Sequence, residues 1–172
     1  MSGSKRYGLF VFMAAVLLGA GVSCVSDKNF PDEPVINSIE FDSLNKALII
    51  NFTDGDGDFG IENGDPRFEE FLDADSTIRN PYYYNLWVDY FEKREGEWVM
   101  VHTPNTFNFR VPDLTPQGQN KQIEVRITYD MKHDIPLPTA QSDTIKFSVV
   151  LVDRAKHESL PKETGAIILT SP

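Results

Sequence analysis

Four stretches of this chain alternate apolar and polar residues with a strict period of two, and that rhythm limits the fold more than any other feature. In the clearest, Ile123, Val125, Ile127 and Tyr129 stand against Glu124, Arg126, Thr128 and Asp130. Successive side chains of an extended strand point to opposite faces, so such a segment has one apolar and one wet side. The same pattern runs through Leu48, Ile50 and Phe52, through Leu86, Val88 and Tyr90, and through Ile145, Phe147, Val149 and Leu151. Shorter signals lie at Ile39 and Phe41, at Trp98 to Val101, at Phe107, Phe109 and Val111, and at Ile167 to Leu169. Asn45-Lys46 and Glu95-Gly96-Glu97 read as hairpin tips. Helical spacing of three and four is missing from every long segment; Pro66 to Asp75 is the best place for one or two turns. An apolar sheet face must be covered, and another sheet covers it best. The expectation is an all-β, antiparallel β-sandwich of immunoglobulin/fibronectin-like type with about seven or eight strands, a small barrel being the alternative.

The first residues follow different rules. Lys5 and Arg6 precede an apolar run from Gly8 to Val22, which has the form of a signal peptide and is short for a membrane span. The run ends Gly21-Val22-Ser23-Cys24, small residues before a cysteine, as in the cleavage site of bacterial lipoproteins, although Gly21 stands where leucine is usual. Residues 1–23 are read as a lipoprotein-type signal. Cys24 is read as the site of a diacylglycerol thioether and an N-acyl chain such as palmitate, and residues 24–34 as a Pro-bearing tether to a domain over residues 35–172. Each buried methylene of such chains contributes about 0.8 kcal/mol to membrane binding. Ordinary secretion with an unmodified cysteine is the plainer reading. Cys24 is the only cysteine, so neither an intrachain disulfide nor a cysteine-rich zinc site is available.

The formal charge of −10 becomes −12 once Lys5 and Arg6 are removed. No basic stripe is present, which argues against nucleic acid as a partner. His102, His133 and His157 are far apart, and neither a serine-nucleophile elbow nor a metalloenzyme motif occurs. A catalytic role would need two acids brought together by folding, such as Asp89 or Glu92 with Glu124.

One segment points to specific chemistry. In Phe52-Thr-Asp-Gly-Asp-Gly-Asp-Phe-Gly-Ile-Glu-Asn-Gly-Asp65, acids occupy positions one, three, five, nine and twelve counted from Asp54. That is the oxygen rhythm of a helix–loop–helix calcium loop. Carboxylates this close repel one another, and a divalent cation removes the repulsion. Position six holds Phe59 rather than glycine and no amphipathic helix flanks the segment, so it is closer to the calcium turns between strands of extracellular β domains. Asp54, Asp56, Asp58, Glu62 and Asp65 are the candidate ligands of a structural calcium, with Phe59 or Ile61 pinning the loop to the core. A metal-free Asp/Gly turn is the bland reading.

Tyr82, Tyr83, Tyr84 and Trp87 form a dense aromatic run that can stack on sugar rings, meet a protein partner, or simply fill the core at the start of a strand. Met131 to Thr139 is a Pro-bearing loop, and Asp153 to Ser159 reads as a loop between the last strands.

Taken together, the cysteine after its leader, Phe52 to Gly60, the Phe109-Arg-Val-Pro-Asp-Leu-Thr-Pro116 stretch and the Asp153-Arg-Ala segment after a late strand resemble small lipoproteins of the Bacteroidetes group. The resemblance implies a β domain held by its lipid in the outer membrane, on the periplasmic or cell-surface side. It implies a non-catalytic accessory or interaction subunit of an outer-membrane protein assembly. A calcium-dependent carbohydrate- or ligand-binding module is the alternative.

Overall fold

Pairing converts the alternating segments into two antiparallel sheets. The computed structural model describes residues 29–103, 107–133 and 142–169. Cys24, its leader and most of the Met131–Thr139 loop lie outside the described residues. In the first sheet β2 (Ala47–Asp54) lies between β1 (Val35–Asp42) and β5 (Ile123–Asp130). In the second, β4 (Glu97–Met100), β3 (Leu86–Arg94) and β6 (Thr144–Leu151) run side by side, and the far edge of β6 pairs with β7 (Lys162–Glu163) and β8 (Ile167–Ile168). Among the described residues no helix is long and apolar enough to cross a membrane.

Register explains which side chains enter the core. Phe52, Ile50 and Leu48 of β2 face Val125, Ile127 and Tyr129 of β5. On its other side β2 meets Ile36, Ile39 and Phe41 of β1. Ile36 and Ile39 are three residues apart, an odd spacing that would put them on opposite faces of a regular strand. A register shift between Ile36 and Ser38 supplies the extra residue and turns both inward. Leu86, Val88 and Tyr90 of β3 and Ile145, Phe147, Val149 and Leu151 of β6 form the facing layer, all buried. The ring of Phe147 joins the layers, 6.2 Å from Phe41, 5.8 Å from Tyr90 and 5.6 Å from Phe107.

The hairpin tips fold by local chemistry. Asp42 Oδ1 accepts the amides of Leu44 and Asn45 and shapes the β1–β2 turn, with Lys46 at φ 53°. Glu95 and Gly96 have φ of 51° and 90°, the paired positive angles of a two-residue type I′ turn between β3 and β4.

One sequence expectation is corrected, one is met by a single short turn, and one strand was not foreseen. Phe107 to Val111 alternates but forms no strand, touching the second sheet through the isolated bridge of Phe109 to Leu86. The amide side chain of buried Asn85 takes the place of a ladder partner here. Its Oδ1 accepts the Val111 amide at 2.6 Å and its Nδ2 donates to the Val111 carbonyl at 3.3 Å. Within Pro66 to Asp75 the only helical turn is a 3₁₀ turn at Pro66–Phe68. Lastly, β7 gave no signal in the sequence.

Asn85→Leu keeps the branched shape but leaves the buried Val111 amide without its acceptor, while the Val111 carbonyl keeps the Ile61 amide at 3.0 Å, so it is expected to lower stability by about 2 kcal/mol. Urea unfolding followed by tryptophan fluorescence checks this.

Candidate cation site

The inward row of β2 does not end on a hydrophobe. After Leu48, Ile50 and Phe52 the next position on that face is Asp54, opposite Ile123 and with no exposed surface. One of its oxygens, Oδ1, accepts the Gly57 amide at 2.6 Å. Its other oxygen, Oδ2, is buried without a hydrogen-bond partner, and so is Oδ1 of Asp58. A buried unpaired carboxylate oxygen is costly, and two beside each other more so. Asp54, Asp56 and Asp58 each offer an oxygen, and all three oxygens lie within 4.8 Å of one another.

The electrostatics agree with the geometry. Burial, reinforced by the charges of Asp56, Asp58 and Asp153, pushes the Asp54 carboxyl up to about 7 against the opposing bond from Gly57. Burial with the charges of Asp153 and Asp56 lifts Asp58 to about 6, opposed by Arg154. A site that resists ionisation in the absence of counter-charge is one where a divalent cation gains most.

The loop holds this shape because it is buried between other segments. Phe59 is fully buried with its ring 4.5 Å from that of Phe52, and Ile61 is also in the core, as the sequence suggested for both. Ile61 N–H donates to the Val111 carbonyl at 3.0 Å and Leu114 N–H to the Phe59 carbonyl at 3.1 Å. Two glycines permit the close approach. A Cβ on Gly57 would stand 1.7 Å from the Lys121 carbonyl oxygen, and one on Gly60 would stand 2.2 Å from that of Pro112.

Glu62 and Asp65 are not drawn into the cluster. Glu62 is exposed. Asp65 caps the Pro66–Phe68 turn and pairs with Arg67 at 2.7 Å, which holds its carboxyl below the usual range. The chain turns at Gly60, with φ 101°, to bury Ile61, so the second half of a helix–loop–helix register is not followed.

The aromatic run divides into two pairs. The rings of Tyr82 and Trp87 are 6.0 Å apart, and Tyr83 meets Tyr84 edge-on at 4.8 Å. All four are half-buried. Trp87 Nε1 donates to the Tyr84 carbonyl, which fixes the indole, and the Arg110 guanidinium lies over Tyr83. Lys156 Nζ stands 4.8 Å from the centre of the Tyr82 ring. Lys156 belongs to the same turn as Asp153, so this turn links the aromatic patch to the acidic loop.

Asp153 itself was not singled out by sequence. It follows β6 directly and its side chain has no exposed surface. Its carboxylate accepts the His157 amide at 2.7 Å and meets His157 Nδ1 at 2.9 Å. Its charge adds to those that raise Asp54 and Asp58, an influence that no spacing rule in the sequence could have shown.

The acid pairs considered for hydrolysis do not form. Glu92 points inward to the Tyr90 hydroxyl and Arg94. Asp89 and Glu124 are exposed on the outward faces of different sheets, which look in opposite directions.

Comparison with known protein families, curated proteins and solved structures gives no match.

Proposed function

We propose that this chain is a calcium-binding ligand-recognition module of an exported, lipid-anchored protein. The observation that carries the reading is the pair of buried, unpartnered oxygens on Asp54 and Asp58 within a three-carboxylate cluster. Calcium takes about six to eight oxygens in loose geometry, a better match to clustered aspartates than the strict octahedron of magnesium. Its role is structural: it fixes the end of the sandwich where β2 and β6 stop, beside the Tyr82–Trp87 pair. A sugar ring is the ligand class that such a half-exposed, immobilised aromatic pair suits. The strand order supports an immunoglobulin/fibronectin-like assignment: β1, β2 and β5 take the places of strands A, B and E, and β4, β3, β6 and β7–β8 those of C′, C, F and G. Acylation at Cys24, and a place beside outer-membrane protein assemblies, belong to the same proposal.

Isothermal titration of metal-free protein with calcium tests the core of this reading. A saturable one-site isotherm, lost in Asp54→Asn, is expected; no heat and no thermal shift would remove it. A glycan array run with calcium and with chelator tests the ligand class. Binding only with calcium, and loss in Trp87→Ala, is expected. Intact mass of the native protein reports the acyl chains.

A further inference from the structure

We infer that the acidic loop is also a seat for the chain's own N-terminal segment, residues 29–34, which a bound cation locks against Gly55; this rests on the calcium reading above. β1 enters the first sheet at Val35, opposite Thr53 of β2. Residues before 35 and residues after 53 therefore leave the antiparallel ladder side by side. The two stretches meet at Gly55. A Cβ there would stand 2.3 Å from the Phe30 carbonyl oxygen and 2.5 Å from that of Pro31. Gly55 has no left-handed φ, so the need for glycine comes from this close approach and not from backbone conformation.

Metal binding acts on the same corner of the loop. Asp54 is fully buried, and Gly57 is wedged against the Lys121 carbonyl, so the core fixes both. Between them stand half-exposed Gly55 and exposed Asp56. Asp56 holds the Asp58 amide only at 3.3 Å. Without a counter-charge the carboxylates repel one another, and Asp56 is the one that can swing toward water. A cation that gathers the three oxygens draws Asp56 in and fixes the corner on which Phe30 and Pro31 lie. The other flank of the segment is looser: residues 33–36 border an open groove of about 640 Å³ against residues 158–162. By linkage, a seated segment tightens calcium binding by the factor with which calcium favours the seat. Where Cys24 carries the lipid, seating leaves residues 24–29 as the free tether in place of residues 24–34. Its greatest reach falls from about 37 Å to about 20 Å, which holds the domain close to the membrane.

Nitrogen-15 relaxation in the whole chain tests this at the amides of Phe30, Asp32 and Glu33. With calcium their order parameters are expected at about 0.85, as in rigid backbone, and without it below about 0.6. Glu95 and Gly96, at the β3–β4 tip, should not change. Gly55→Ala places a methyl group in the seat and leaves the three aspartates in place. In saturating calcium it should keep the segment below about 0.6, and it should weaken calcium binding about fivefold or more by titration calorimetry. A wild-type chain that binds calcium, with the three amides equally ordered in both states, overturns the seat and leaves the three-aspartate site standing. A folded Gly55→Ala chain in which calcium still orders the segment does the same. A wild-type chain that binds no calcium overturns both. If circular dichroism shows Gly55→Ala unfolded, the wild-type comparison decides alone.

Discussion

Metal-free protein, prepared over chelating resin, is expected to lose stability between pH 5 and pH 8, and saturating calcium is expected to abolish or reverse that slope. The sign follows from proton binding. In the unfolded chain an aspartate ionises near pH 3.9. In the folded chain burial and neighbouring carboxylates raise Asp54 to about 7 and Asp58 to about 6. Between these limits the folded state holds more protons than the unfolded one. The stability they contribute is complete below pH 4 and is lost as pH rises through 6 and 7. Asp54 is fully buried, so its share is on the order of 3 kcal/mol, the two aspartates not adding independently because each feels the other. Calcium requires both carboxylates ionised and binds only the folded arrangement, so it favours the high-pH state. Asp54→Asn separates the effects. Without metal at pH 8 it should be more stable than wild type, because a buried charge is gone, and calcium should no longer raise its melting temperature. Urea titrations at pH 5 and pH 8 decide the matter; a metal-free wild type that gains stability toward pH 8 contradicts it.

Gly57→Ala should destabilise the domain by about 3 kcal/mol or more, among the larger effects a single methyl group can have. Gly57 has φ of 65°, a left-handed conformation that costs a side-chain-bearing residue about 1–2 kcal/mol. The larger part is steric. The added Cβ would lie 1.7 Å from the Lys121 carbonyl oxygen, and a backbone oxygen cannot swing away as a side chain would. Gly64→Ala isolates the conformational part, since Gly64 has φ of 81° and open space around it. The difference between the two variants in urea unfolding measures the clash. If they differ by less than about 0.5 kcal/mol, the loop and the Lys121 segment do not approach as described. Calcium should recover part of the loss in Gly57→Ala, because the ligands follow the same backbone path.

The sheets were legible because their strands are one-sided. Phe52 and Val125, or Tyr90 and Phe147, face each other in the register that alternation demands. What misled was alternation without a partner. Phe107, Phe109 and Val111 have the right spacing, yet Asn85 satisfies Val111 with a side chain and no ladder forms. Lys162 and Glu163 pair with β6 through the backbone while both side chains stay in water, so no apolar pattern announces them. At the site, Asp54, Asp56 and Asp58 were legible because neighbouring acids in an extended turn converge by local geometry. Glu62 and Asp65 were placed by counting along a helix–loop–helix template, and the buried Phe59 and Ile61 send the chain elsewhere. The influence of Asp153 was invisible for the opposite reason: about a hundred residues separate it from Asp54, whose carboxyl its charge helps to raise only once the chain is folded.

The extra residue in β1 matters beyond the core it helps to fill. β1 is an outer strand of its sheet, where unpaired amides and carbonyls invite another chain. Its irregular spacing between Ile36 and Ser38 breaks the even row that an incoming strand would have to match. On β5, the opposite margin, Glu124, Arg126 and Asp130 set charges of both signs along the rim. Copies crowded side by side along this sheet would thus find no flat, continuous border to zip onto, which leaves β4, at the margin of the other sheet, as the edge more open to an incoming strand.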